Sequence, residues 1–250
     1  MDLVLDPGNL GLTIHESVGH ATELDRALGM EESLSGKTFA TPDQLGRLRY
    51  GSPLVNFYAD NTMEGGLASW GYDDEGAPAG RWDIVREGIL RGYSTSRDTA
   101  PAIGEERSRG CCRADHWGRL PIVRIPNLCL AAGDTPCGVE DLIAGVEDGI
   151  YIEGRGSFSI DNMRLNFQFG GDAFWRIRRG KREGMLKNVT YQAITPHFWG
   201  SLDGLTDWRF WIPTGTLNCG KGDPGQVQQM THGAPWARFR GVHVGGARAS

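Results

Sequence analysis

The sequence predicts an α+β fold: a core of mainly antiparallel sheet, or a barrel-like arrangement of strands, with a helix near the N-terminus and one or two more downstream. Its 250 residues, 39% of them hydrophobic, suffice to bury a sizeable core. The 37 glycines and 12 prolines punctuate short apolar stretches, which favours strands and tight turns over a helical bundle. No fixed-period repeat and no low-complexity linker divides the chain, so a single domain over residues 1–250 is expected.

The elements follow in chain order. Ile14, Val18, Ala21, Leu24 and Leu28 mark an amphipathic helix, with Thr13 placed to cap its start and Gly29 to stop it. Val55, Phe57 and Ala59 alternate as in a strand, and Asp83–Arg86 meets Ile89–Tyr93 across Glu87 and Gly88 as a hairpin. The polar, irregular stretch Gly104–Gly118 is the candidate mobile loop. Thr135 and Pro136 open a second helix running to about Gly149, with Leu142, Ile143, Val146 and Ile150 at helical spacing. Phe174–Arg178 runs into Arg179, Gly180 and Lys181, with Met185–Tyr191 as the return strand. Thr195 and Pro196 open a short third helix, and Arg238–Val244 is the last strand candidate.

A formal net charge of -5 provides no general attraction to phosphate backbones or anionic lipid, so nucleic acid and membrane are excluded as expected partners. No apolar run approaches the ~20 residues of a membrane span, and the first residues lack the order of a signal peptide. The five cysteines are odd in number, and Cys111 and Cys112 are adjacent, where a mutual disulfide would be strained. A reducing, cytoplasmic setting fits. Arginines beside this cysteine pair could lower the thiol pKa values, but a solvated loop is the simpler reading. Without a basic stripe, the eight tryptophans suit a core or a subunit interface better than base stacking.

The chemistry concentrates in His15-Glu16-Ser17-Val18-Gly19-His20. Neutral imidazoles are good zinc ligands, and a neighbouring glutamate outside the ligand set can take a proton from water activated by the metal. The histidines are five residues apart, and on an ideal helix at about 100° per residue their side chains would diverge by roughly 140°. A widened, π-like turn would bring them back together, and Gly19 sits where such a turn is needed. A blander alternative stays open, because Thr13 and Glu16 also match a capping box. A catalytic zinc needs a third protein ligand and an open position. Cys219 is the candidate, in a loop whose glycines at 220, 222 and 225 allow close approach, although a buried thiol in a plain turn would read the same way. Gly215–Lys221 fits the first part of a phosphate-binding loop, but Gly222 replaces the Ser or Thr and Pro224 blocks the required helix. His232 follows closely enough to hold a substrate carbonyl or to orient a ligand. His116 and His197 have no partner pattern.

Four strings, DPGNLGLTIHESVGHATELDR, NVTYQAITPHFWGSLDG, NCGKGDPGQ and THGAPWARFRGVHVGG, together resemble the TldD/PmbA family, also labelled modulators of DNA gyrase. The resemblance runs from about Asp6 to Gly246. It implies that His15 and His20 bind zinc, that Cys219 is the third ligand and that Glu16 is catalytic. It also implies a peptidase acting on small or unfolded peptides, including precursor-peptide maturation, that works as a homodimer or with a motif-less family partner. The expected domain is the catalytic C-terminal half, with the family's N-terminal domain absent before Met1. The runner-up is a non-catalytic or regulatory subunit with a structural metal. A DNA-directed regulator and a copper electron-transfer site are further alternatives, the first opposed by the net acidity and the second by the adjacent Glu16.

Overall fold

The computed structural model describes residues 1–246. Most strands pair antiparallel, as expected, but no barrel closes among the described residues. A six-stranded sheet runs in the order Lys181–Leu186, Ala173–Arg178, Asp148–Glu153, Asp2–Leu5, Ala237–Phe239, Leu202–Leu205. Its one parallel pair joins Asp2–Leu5 to Asp148–Glu153. A second sheet orders His243–Gly246, Val189–Ile194, Asn166–Phe169 and Phe158–Ile160, and a third holds Ile89–Leu90, Arg81–Arg86, Phe57–Asp60 and Leu128–Leu130. The long hairpin of Ile212–Lys221 and Gln226–Ala234 stands by itself. Buried apolar side chains of the helical segment, the sheets and this hairpin, among them Leu10, Ile14, Phe57, Trp199, Met230 and Phe239, form one continuous cluster.

The N-terminal helix differs from its expected form. It starts at Pro7, not Thr13, because Asp6 caps it by accepting from the Asn9 amide at 2.8 Å while proline takes the first helical position. Thr13 therefore lies inside the helix, its hydroxyl donating to Asn9 O at 3.1 Å, and no capping box engages Glu16. Gly8 and Gly11 hid this first turn from the apolar periodicity. At Gly11 the helix rests directly on the hairpin, and a Cβ there would collide with Thr214 Oγ1.

Other boundaries also moved. The second helix is confined to Val139–Ala144, and Gly149 and Ile150 belong to the strand beside Asp2–Leu5. The return strand after Arg178 is Lys181–Leu186, reached through Arg179 and Gly180 at φ 47° and 72°. Asn188, at φ 57°, then switches the chain into Val189–Ile194 of the second sheet. Likewise Gly241, at φ 63°, divides the expected last strand between Ala237–Phe239 and His243–Gly246. The hairpin across Glu87 and Gly88 (φ 51° and 75°) and the short helix Thr195–Gly200 are as expected. The stretch expected to be a mobile loop is anchored at residues 108–113, where Arg113 is buried and lies 4.3 Å from the Trp70 ring centre. Cys111 is buried there rather than solvated, which pushes its thiol up to about 12. Trp82 and Trp199 are core, whereas Trp117 and Trp208 are exposed.

Candidate metal centre

The helix that begins at Pro7 widens at His15–Gly19 into a π turn, closed by the His20 amide donating to His15 O. This brings the two imidazoles to one side, with ring centres 4.8 Å apart and planes at 81°. Gly19 plays a different part from the one its flexibility suggested. Its φ and ψ of -55° and -63° suit any residue, but a Cβ would stand 2.9 Å from Ile125 Cδ1. Glycine is there for close approach.

Two hydrogen bonds orient the rings. His232 Nδ1 lies 3.0 Å from Leu128 O, a carbonyl that can only accept, so Nδ1 carries the hydrogen and Nε2 accepts. His15 Nδ1, 2.8 Å from that Nε2, must then donate, which leaves the lone pair of His15 on Nε2. His20 Nδ1 donates to Glu23 Oε2 at 2.8 Å, so its Nε2 faces the site, 3.4 Å from Cys219 Sγ. Burial, with the neighbouring His20, His232 and arginines, drives His15 well below its usual range, and burial takes His232 down to about 4. Burial opposes both shifts, but the Cys219 thiolate and the Glu23 carboxylate raise His20 to about 9, and His20 with Arg124 lowers Cys219.

Cys219 reaches the histidines from the hairpin, where the register shifts between Thr216 and Cys219. The buried Arg124 secures it by donating to Cys219 O at 2.5 Å and to Gln226 O at 3.1 Å. One donor atom each from His15, His20 and Cys219 lie within 4.8 Å of one another. Tetrahedral zinc with Zn–S of ~2.3 Å and Zn–N of ~2.0–2.1 Å spans its ligand pairs by ~3.5 Å. The 3.4 Å between Cys219 Sγ and His20 Nε2 suits that span and the donor types suit zinc, while the set as a whole spreads to 4.8 Å, wider than a closed tetrahedral site.

The site opens into a cavity of about 610 Å³ whose lining includes Glu16, Arg155, Phe158, Arg164 and Asn218 beside the three donors. Glu16 lies outside the donor cluster, and its Oε2 accepts from Arg164 Nη1 at 2.5 Å. A larger open depression of about 800 Å³ lies over the hairpin of Ala173–Leu186, but charge pairs such as Arg176 with Asp148 line it, without a ligand cluster among the described residues. Chemistry, not volume, identifies the site.

His232, expected to contact substrate, is fully buried and does not line the cavity. It supports His15 instead, the second of the two roles its position allowed. Sequence reasoning missed Glu23, Arg124, Arg155, Arg164 and Lys221. Glu23 had a signal, since three residues past His20 is the spacing of facing helical side chains. Arg164 had none, because it arrives from a turn between two strands of the second sheet.

A helix and a bulged hairpin thus meet in a His, His, Cys cluster that could hold a metal ion, with the Arg164-bound carboxylate of Glu16 beside it. The PmbA/TldA metallopeptidase C-terminal domain matches residues 1–246, and the chain belongs to that family. A metalloprotease of Synechocystis is 32% identical over 248 residues, covering 99% of this chain and 50% of that protein. A zinc metalloprotease TldD homolog of Saccharolobus solfataricus is 25% identical over 246 residues, covering 98% and 51%. The crystal structure of TldE from Thermococcus kodakarensis shares the fold, with a TM-score of 0.73 and 18% identity over 98% of this chain and 50% of that one. The chain thus spans about half the length of the curated relatives it matches.

Proposed function

We propose that the chain is the catalytic part of a zinc-dependent peptidase that hydrolyses small or unfolded peptides, with His15, His20 and Cys219 holding the metal and Glu16 as general base. The observation that carries this is the convergence of three donors, two of which, His20 and Cys219, are 199 residues apart in sequence, beside a carboxylate that is not one of them. Zinc, when bound, supplies a Lewis acid for the peptide carbonyl and acidifies water. Glu16 accepts the proton from water and returns it to the leaving amine, while Arg164 holds the carboxylate toward the cavity. Phe158–Ile160, the outermost strand of its sheet, lines the cavity and offers backbone groups to an extended peptide. A folded protein cannot present such a segment easily, which favours unfolded substrates, including precursor peptides. Three donors with a cavity alongside favour a catalytic over a structural metal.

A partner subunit, either a second copy or a relative without the histidine motif, completes the proposal. A cytoplasmic setting accords with five free cysteines and with no described helix long and apolar enough to cross a membrane. The test is cleavage of an unstructured fluorogenic peptide by zinc-loaded protein, before and after chelation. Activity that is lost on chelation and restored by zinc supports the reading. Cleavage untouched by chelation, or no zinc uptake, overturns it.

A further inference from the structure

Lys221 lies two residues beyond Cys219 on the same strand, and its side chain is buried. The ammonium donates to both Asp25 carboxylate oxygens and to Val123 O, each at 2.8 Å, and stands 3.3 Å from Glu23 Oε1. The other oxygen of Glu23 accepts from His20 Nδ1 at 2.8 Å. One cation therefore touches the carboxylate that orients a candidate ligand, from the strand that carries another. Glu23 and Asp25 belong to the chain just past the π turn, so the lysine also bridges the helical segment and the hairpin.

We infer that Lys221 is a positioning residue for the metal centre. It holds Glu23 under the His20 ring and, through its own strand, sets how far the Cys219 sulfur stands from His20 Nε2. Charge makes the lysine difficult to replace. Glu31 Oε2 approaches the same ammonium at 3.8 Å, so Glu23, Asp25 and Glu31 share one buried pocket. Arg26 is another cation there, and it lies 3.5 Å from Glu31 while donating to Ser35 O, Lys37 O and Asn162 O, and the charge of Arg124 also acts on Glu23. Remove the Lys221 charge and three carboxylates repel one another, with Glu23 free to leave His20. A buried amine donating to three oxygens, two of Asp25 and one of Val123, could serve folding alone, so the test must separate folding from metal geometry.

This inference rests on the zinc reading, and the experiment uses zinc and cobalt(II) alone. Zinc affinity of Lys221→Met, Glu23→Gln and the double variant is measured by chelator competition, beside the visible spectrum of the cobalt forms. Each single variant is expected to bind zinc about 10- to 100-fold more weakly, the range for loss of a supporting group behind a ligand. The thiolate-to-cobalt band should shift, and the double variant should lose little more than either single one because both act along one path. Glu23→Gln keeps its shape and Asp25→Asn removes the lysine's main anchor, so this second pair carries the test if Lys221→Met does not fold. Unchanged zinc affinity and cobalt spectra, even with lowered melting temperature, would overturn the inference while wild-type binding left the zinc reading intact. Failure of the wild type to bind either metal would overturn both.

Discussion

Variants of Glu16 and Cys219 test the proposed chemistry and the proposed metal binding separately. Glu16→Gln preserves size but cannot accept a proton, and losing a general base costs about 10²- to 10⁴-fold in rate. Zinc content should stay near wild type, because Glu16 lies outside the donor cluster. Parallel zinc and peptide-cleavage assays on one sample check this, and near-normal cleavage would leave the base unidentified. Cys219→Ala should behave in the opposite way. It removes the sulfur 3.4 Å from His20 Nε2, so bound zinc should be lost under a moderate chelator challenge that wild type survives. Zinc retained there would remove Cys219 from the site. Arg164 gives a third contrast: Arg164→Gln removes the charged partner of Glu16 and should lower cleavage without releasing zinc.

The π turn is where two opposing backbone effects can be compared. Alanine is favoured over glycine in a helix interior by about 0.8–1.0 kcal/mol. Against this, the new Cβ of Gly19→Ala would stand 2.9 Å from Ile125 Cδ1 and 3.1 Å from its Cγ2, and Ile125 is fully buried. Overpacking of that kind costs about 1–3 kcal/mol, so the net change should be destabilising, and denaturant titration checks it. A more stable variant would mean that Ile125 has room to yield. The His15–His20 spacing made this turn legible, because a regular helix would have separated the rings. The hairpin at Glu87 and Gly88 and the helix opened by Thr195 and Pro196 were legible for similarly local reasons, a left-handed turn and a helix-starting proline. The helix start was not, since Gly8 and Gly11 break the apolar pattern, Gly11 because it packs on the hairpin. Ile150 kept a helical spacing but joined a strand because its partner, Leu3, lies far away in sequence. The supporting residues Arg124, Arg164 and Lys221 depend on such distant pairings, which no local pattern encodes.

The candidate ligands come from opposite ends of the chain, His15 and His20 from the first helical segment and Cys219 from the hairpin near the C-terminus. Bound zinc would therefore tie the beginning of the fold to its end, and its binding energy should appear as stability of the whole molecule. A ligand that binds only the folded state at about 1,000 times its Kd contributes about 4.1 kcal/mol. For a chain of this size, about 1 kcal/mol moves the melting temperature by about 2–4 °C, so zinc should raise it by about 8–16 °C. Calorimetry with and without a chelator measures the shift. Cys219→Ala should lose most of it, whereas Glu16→Gln should keep it, because only the first disturbs the donor set. Subunit association could raise the melting temperature independently, and exposed Trp117, Leu120 and Trp208 are available to such contacts. The scans are therefore repeated over a range of protein concentrations with light scattering alongside. A zinc shift that persists at every concentration, and disappears only in Cys219→Ala, places the stabilisation within one chain. A shift that follows the assembly state instead would assign it to the contact between subunits.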